Sequence, residues 1–323
     1  VVGNAVVLKP AEQTPLSALV IGEIAAETLP AGVLNVVSGG AEAGDALVTH
    51  PDVRRIAFTG STAVGRKIQQ RAADSGVKHV SLELGGKNAM VVFPDAEIAS
   101  AVEGAFFGMN FTSCQGQSCG STSRILVHRS LYAAFLDGLR DRLRGVRVGV
   151  AYEAGTEMGP VVSAAQRDRV LAYIASARAE GARLVAGGEP VAGVPSGGYF
   201  IAPTAFADVS PTMRIAREEI FGPVVAVLPW DDYDEMLSTV NGVEYGLTAS
   251  IWTNDIDVAL GTARAIDAGY VWINETAKHF WGTPFGGMKA SGVGREESVE
   301  ELVSYCEVKA VHAILRDPRT RFR

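Results

Sequence analysis

The sequence predicts an α/β protein of parallel sheets arranged in two domains. Short β-rich runs alternate with helical runs from Ala5 onward, and strand–helix–strand at this spacing makes βαβ units. The alternation resumes with longer helices beyond Gly85-Gly86, which is the expected hinge between the domains. The chain has 323 residues, 47% apolar and 20% charged, enough for two buried cores.

In order along the chain, Ala5-Val6-Val7-Leu8 reads as a buried strand. Thr14-Pro15 reads as an N-cap with proline in the first helical position, opening a helix to about Thr28 that Pro30-Ala31-Gly32 ends. Val33–Val37 is the next strand, Ala41–Thr49 a short helix, and Arg55–Phe58 a strand. Thr59-Gly60-Ser61-Thr62 turns into a helix to about Asp74, followed by a strand over Val77–Leu82. Beyond the double glycine, helices are expected over Ile98–Met109, Ser130–Leu143, Ala164–Glu180, Asp234–Val240 and Ile256–Ile266. Strands are expected over Ala89–Val92, Arg124–Val127, Val224–Leu228, Ala249–Trp252 and Tyr270–Asn274, and Gly187–Gly198 reads as a surface loop.

Bulk properties exclude several functions. A net charge of −7 and the lack of a dense basic run argue against a nucleic-acid surface. No apolar run is long enough for a bilayer. The three cysteines, Cys114, Cys119 and Cys306, suit a reducing compartment rather than a disulfide framework, so a cytoplasmic location is expected. The five scattered histidines show no metal spacing. The chain opens on Val1-Val2-Gly3-Asn4 without methionine, so its true start is expected to lie upstream.

Four segments carry candidate chemistry. Gly60 to Gly65 ends a strand and opens a helix, a place where free amides favour anions, although a plain strand-to-helix turn explains it equally well. Lys9-Pro10-Ala11-Glu12 follows the first strand, at the crevice of a doubly wound sheet; on residue types alone, a surface Lys and Glu is the simpler reading. Glu83, closing an apolar run before two glycines, suits a general base whose pKa burial raises, and equally an acid paired with Lys87. Cys119 lies in a polar Gly/Ser-rich turn; a helix starting there would lower its thiol pKa and offer amides to an oxyanion. Local chemistry does not separate Cys119 from Cys114.

Taken together, the chain resembles the aldehyde dehydrogenase superfamily, nearly throughout. The motifs are Phe58-Thr59-Gly60-Ser61-Thr62, Leu82-Glu83-Leu84-Gly85-Gly86-Lys87, Gly116-Gln117-Ser118-Cys119, Glu218-Glu219-Ile220-Phe221-Gly222-Pro223 and Pro284-Phe285-Gly286-Gly287-Met288-Lys289, in that order. The resemblance implies oxidation of an aldehyde to an acid, with Cys119 and not Cys114 as nucleophile and Glu83 activating the hydrolytic water. It implies that Lys9 and Glu12 hold the adenosine ribose with Ser61 nearby, that the helix opened by Gly60, Ser61 and Gly65 lies under the pyrophosphate, and that Glu219 and Phe221 position the nicotinamide ribose and ring. Glu12 favours NAD over NADP, because a carboxylate there repels a 2′-phosphate.

The implied architecture is an incomplete Rossmann-like cofactor domain over 1–85, an α/β catalytic domain over 86–290, and a return segment with an oligomerisation strand over 291–323. A homodimer or homotetramer is implied at full length. The family's Pro-Trp-Asn segment, whose asparagine completes the oxyanion hole, is expected upstream of Val1. Loss of one such donor costs about 10²–10³ in rate, so the chain made alone is expected to be inactive or prone to aggregate. Asn110-Phe111-Thr112, the run after Cys119, and Gly294-Arg295-Glu296-Glu297 look most like betaine-aldehyde and aminoaldehyde dehydrogenase relatives, with Phe280 and Trp281 as candidate tunnel residues. Two alternatives stand beside hydrolytic oxidation: acyl transfer to CoA, and a non-catalytic nucleotide-binding remnant.

Overall fold

The computed structural model describes residues 2–189 and 191–314. The first part runs β1 (Val6–Leu8), α1 (Leu16–Thr28), β2 (Leu34–Val36), α2 (Ala41–Thr49), β3 (Arg55–Thr59), α3 (Thr62–Ser75) and β4 (His79–Glu83). These strands form two separate parallel pairs, β1 with β2 and β3 with β4. The run in β1 is apolar on both faces, yet Val6, Val7 and Leu8 are exposed, with β2 the one strand paired to it among the described residues. That corrects the expectation of a buried strand. Helix α1 begins at Leu16 with Pro15 as its cap residue, and no side chain bonds its first turn, so Thr14 does not cap it.

The second part continues with β5 (Ala89–Val92), α4 (Ile98–Gly108), α5 (Phe111–Cys114), β6 (Arg124–His128), α6 (Arg129–Arg144) and α7 (Ala164–Ala179). Then follow β7 (Arg183–Ala186), β8 (Thr204–Ala207), α8 (Arg214–Arg217), β9 (Val224–Trp230), α9 (Tyr233–Asn241), β10 (Tyr245–Gly246) and β11 (Thr248–Trp252). The last elements are α10 (Ile256–Ala265), β12 (Tyr270–Ile273), β13 (Met288–Lys289), β14 (Gly292–Val293) and α11 (Val299–Ser304). The seven-stranded sheet has the order β12-β11-β5-β6-β9-β8-β7, parallel except for the antiparallel edge strand β7.

Its central strands are apolar on both faces because both are covered. Met90 and Val92 of β5, Ile125 and Val127 of β6, and Val225 and Val227 of β9 pack with α4 and α6 residues such as Phe106, Phe135 and Leu139. Val91, Leu126 and Val224 face the opposite layer with Val170 and Ile174 of α7 and Met236 of α9. The chain passes from the small sheet to the large one over Leu84–Asn88. It returns near its end, where β14 adds antiparallel to β4 with Gly292 opposite Glu83. The last nine residues of the expected 291–323 tail lie outside the described residues. No described helix is long and apolar enough to cross a membrane.

Gly104 on α4 is where this packing is tightest: a Cβ there would stand 2.1 Å from Cζ2 of the buried Trp252. Gly104→Ala gains about 1 kcal/mol of helix propensity, but overpacking costs about 1–3 kcal/mol. Because the obstacle is the indole of a core residue, the clash wins. Urea unfolding should show a lower midpoint; an unchanged or higher midpoint would refute the packing.

Candidate active site

The site is built where three loops meet. Segment Leu84–Asn88 links the two sheets, Gln115–Gly120 follows the single-turn helix α5, and Glu219–Gly222 precedes β9. Three of the close approaches between them occur at glycines. A Cβ on Gly85 would lie 2.3 Å from Glu219 Oε2, one on Gly86 would lie 2.6 Å from the Cys119 carbonyl oxygen, and one on Gly116 would lie 2.4 Å from the Gly222 carbonyl. Gly116 also has φ +68°, which glycine alone adopts without cost.

Asn88 fixes the thiol-bearing turn. Its Nδ2 donates to the carbonyls of Cys119 (2.7 Å) and Ser121 (2.9 Å), while its Oδ1 accepts from the Thr248 amide at 3.0 Å. Cys119 packs against the aromatic cluster of Leu247, Tyr270, Trp272 and Phe285. It does not begin a helix: Gln117 to Ser123 is turn and extended chain. The expected lowering of its pKa by a helix terminus is therefore corrected. Burial pushes the thiol up, and the nearby carboxyls of Glu219 and Glu83 push it further. The Cys114 thiol is also pushed up by burial, and sits over the Asn110 carbonyl at 3.9 Å.

Glu83 is buried, and neither carboxyl oxygen has a hydrogen-bond partner. Burial raises its pKa to about 8; Glu296, Glu297 and Glu301 add repulsion and Arg295 opposes it. Its expected alternative pairing with Lys87 is absent: the Lys87 Nζ is itself buried without a partner, and burial followed by repulsion from Arg124 lowers it to about 7. Lys87 lines a cavity of about 10 Å³ with Arg124, Tyr245 and Thr248, room for one water. Arg124 closes that side by donating to the carbonyls of Lys87, Thr239 and Val240.

Glu219 accepts the Gly86 amide at 2.9 Å, and burial raises its pKa. Phe221 stands partly exposed in a left-handed conformation (φ 59°), held by Gln166 Nε2, which donates to its carbonyl at 2.6 Å. At the small sheets, Lys9 Nζ donates to the carbonyls of Pro10 (2.8 Å) and Gly39 (2.7 Å) and lies 3.5 Å from the exposed Glu12. Glu12 is held low chiefly by a backbone hydrogen bond, then by Lys9. Ser61 caps α3 by accepting the Val64 amide, Gly60 donates its amide to the Glu83 carbonyl at 3.0 Å, and Gly65 is buried against Leu84 and Leu82.

Three further residues escaped the sequence reading. Besides Asn88, Ser291 donates Oγ to the Gly85 carbonyl at 2.7 Å and accepts the Gly246 amide at 2.9 Å. Glu296 loads the acid Glu83 with a neighbouring charge. A lone Asn, Ser or Glu carries no local pattern, and these act from 31 positions (Asn88 to Cys119) to more than 200 positions along the chain.

Fold and site together define the class: an α/β protein with a half-buried thiol and a buried carboxyl where a small sheet unit meets a larger one. Within that class, the chain belongs to the aldehyde dehydrogenase family, whose model matches residues 1–311. It is 50% identical over 315 residues to aldehyde dehydrogenase tropH of Talaromyces stipitatus, covering 96% of this chain and 61% of that protein. It is 46% identical over 311 residues to a betaine aldehyde dehydrogenase of Rhizobium etli, covering 96% and 63% respectively. The NAD+ complex of an aldehyde dehydrogenase from Bacillus cereus superposes with a TM-score of 0.90 at 45% identity, covering 95% of this chain and 62% of that one. The chain thus spans a little over three fifths of the length of these relatives.

The charge on Glu219 bears on the thiol. Glu219→Gln keeps an oxygen to accept the Gly86 amide but removes that charge. Alkylation of Cys119 by iodoacetamide at pH 8, followed by peptide mass spectrometry, should become several-fold faster, because the thiolate fraction rises as its pKa falls. An unchanged or slower rate would show that Glu219 does not act on the sulfur.

Proposed function

We propose that this chain carries the thiol and acid of an NAD-dependent aldehyde dehydrogenase that oxidises an aldehyde to a carboxylic acid. The observation carrying this reading is a buried carboxyl of raised pKa near a half-buried thiol whose turn is locked by Asn88. Names of the relatives point the same way, and a Mycobacterium tuberculosis aldehyde dehydrogenase complexed with NAD+ superposes with a TM-score of 0.88. Residues 1–85 would hold the nucleotide, 86–290 the aldehyde, and the tail from 291 would serve the return to the small sheet and oligomer contacts.

The nucleotide-side residues fit NAD. The capped start of α3 presents amides to a pyrophosphate, and the exposed Glu12 beside Lys9 offers a carboxylate to ribose hydroxyls. Gly60, Ser61 and Gly65 would shape the pyrophosphate end, Glu219 and Phe221 the nicotinamide end. Bound NAD supplies the hydride acceptor. The Cys119 sulfur, once deprotonated, attacks the carbonyl carbon and gives a tetrahedral thiohemiacetal. Loss of hydride from that carbon leaves a thioester on Cys119. Glu83 takes a proton from water, the hydroxide adds to the thioester, and the C–S bond breaks to release the acid and the thiolate.

Three outcomes follow on the protein expressed from its complete reading frame. Cys119→Ala abolishes aldehyde oxidation while NAD still binds, and Cys114→Ala is mild; the reverse would move the nucleophile. Thioester hydrolysis, read by single-turnover acid quench, accelerates as pH rises through about 8, since only the deprotonated Glu83 accepts a proton. Glu83→Gln removes that pH limb and slows hydrolysis by about 10²–10⁴; a pH-independent wild-type rate would exclude Glu83 as the base. The Kd for NAD should lie below that for NADP, and tighter NADP binding would sink the role of Glu12.

A further inference from the structure

Helix α7 serves both halves of the site. Its residues Gln166, Arg169, Val170 and Tyr173 have the three- and four-residue spacing of a single helix face. That face holds the whole segment before β9. Gln166 Nε2 donates to the carbonyls of Ile220 (3.1 Å) and Phe221 (2.6 Å), Arg169 donates to the Glu219 carbonyl at 2.6 Å, and the Tyr173 hydroxyl donates to the Glu218 carboxylate at 2.8 Å. Val170 closes on Gly222, where a Cβ would stand 2.3 Å from Val170 Cγ2.

The other half is reached through Gln117, two residues before the thiol. Its Oε1 accepts the Val162 amide at 3.0 Å, and Val162 directly precedes Ser163, the N-cap of α7. Its Nε2 donates to the Cys114 carbonyl at 3.1 Å and to Gln115 Oε1 at 3.2 Å. Two oxygens face the nitrogen and one N–H faces the oxygen, so one orientation of the amide satisfies all three. Asn88 ties the carbonyl of Cys119 to the start of β11, and Gln117 ties the residues before the sulfur to the start of α7. Among the described residues, segment 115–120 has no other side-chain hydrogen bond beyond its own neighbourhood. Gly116 also touches the Gly222 carbonyl across the same gap, but such a contact can slide, whereas a hydrogen bond to one amide is directional.

We infer that Gln117 is a positioning residue: it keys the turn carrying Cys119 to the start of α7, and through the face of α7 to segment 218–222, so that the sulfur and the residues assigned to the nicotinamide keep one register. This rests on the aldehyde-oxidising reading of Cys119. Hydride passes from a carbon bonded to that sulfur to a ring beside Glu219 and Phe221, so a shift of either half against the other lengthens the transfer distance. Substrate and cofactor binding use contacts on one half at a time and are spared.

The test is a double-mutant cycle on the protein expressed from its complete reading frame. Stopped-flow absorbance reads NADH formation in the first turnover, at saturating NAD and with acetaldehyde, benzaldehyde or betaine aldehyde, whichever wild type oxidises fastest. Gln117→Met removes all three bonds at similar volume, and Gln166→Met frees the carbonyls of Ile220 and Phe221. Each should slow the first turnover by at least about tenfold, with the aldehyde KM and the NAD Kd within about twofold and the native circular dichroism kept. The double variant should be no more than about twofold slower than the slower single one, because both cut the same link. Gln117→Glu, whose carboxylate still accepts the Val162 amide, should stay within about fivefold of wild type. Val162→Pro, which lacks that amide, should match Gln117→Met and replaces it in the cycle if that variant does not fold. Losses that multiply in the double variant, an unchanged rate in Gln117→Met, an effect confined to KM or Kd, or Gln117→Glu as slow as Gln117→Met overturns the inference while leaving the chemistry at Cys119 in place. Absence of wild-type turnover on all three aldehydes overturns the aldehyde-oxidising reading, and this inference with it.

Discussion

The side chain of Asn88 holds the arrangement together. It is buried between the two sheets and spends both ends on backbone: the amide nitrogen on the Cys119 turn, the carbonyl oxygen on the start of β11. Cys119 sits on a turn that no sheet or helix of its own stabilises, so its position depends on that tie and on three glycines that let neighbouring backbones approach to contact. A Cβ at Gly86 or Gly116 would stand 2.6 Å or less from a backbone carbonyl oxygen, and one at Gly85 would stand 2.3 Å from the Glu219 carboxyl. Thiol, acid and Glu219 are thereby brought close without a rigid element carrying all three.

That closeness has an electrostatic consequence. Glu83 and Glu219 both raise the Cys119 pKa, and Glu296 raises that of Glu83. The buried Glu83 and the half-buried Glu219 near one thiol cannot both ionise cheaply. The protein's own groups therefore favour the thiol over the thiolate at Cys119. A helix terminus would have done the opposite, and none is present at Cys119. An acid whose pKa sits near 8 is well matched to moving a proton at neutral pH, because both of its forms are then accessible.

Much of the fold was legible in the sequence. The bounds of α2 and β5 coincide with those read from residue patterns, and α3, α4, α6, α7, α9, α10, β6, β9, β11 and β12 differ only at their ends. What escaped was short or paired at a distance. β7 and β8 have four residues each, β10, β13 and β14 two each, and each is defined by a partner rather than by periodicity. β1 was misjudged because its apolar run says that it can be buried, not that something covers it. At the site, Cys119 and Glu83 stood out through motif resemblance. Asn88, Ser291 and Glu296 did not, because their importance lies in which backbone or charge they meet after folding.

The return of the chain through β14 explains why residues so far along it govern Glu83. Pairing Gly292 with Glu83 draws the preceding loop and the following Arg295–Glu297 onto the end of β4. Gly286, at φ +159°, is so close that a Cβ there would stand 2.7 Å from Glu83 Oε1. Arg295 then lowers and Glu296 raises the acid's pKa from the same short segment, while Glu297 turns away to His279. One strand pairing thus brings charges of both signs to the acid. It follows that changes in the loop between β13 and α11 act on the Glu83 carboxyl even where they touch neither the thiol nor the acid.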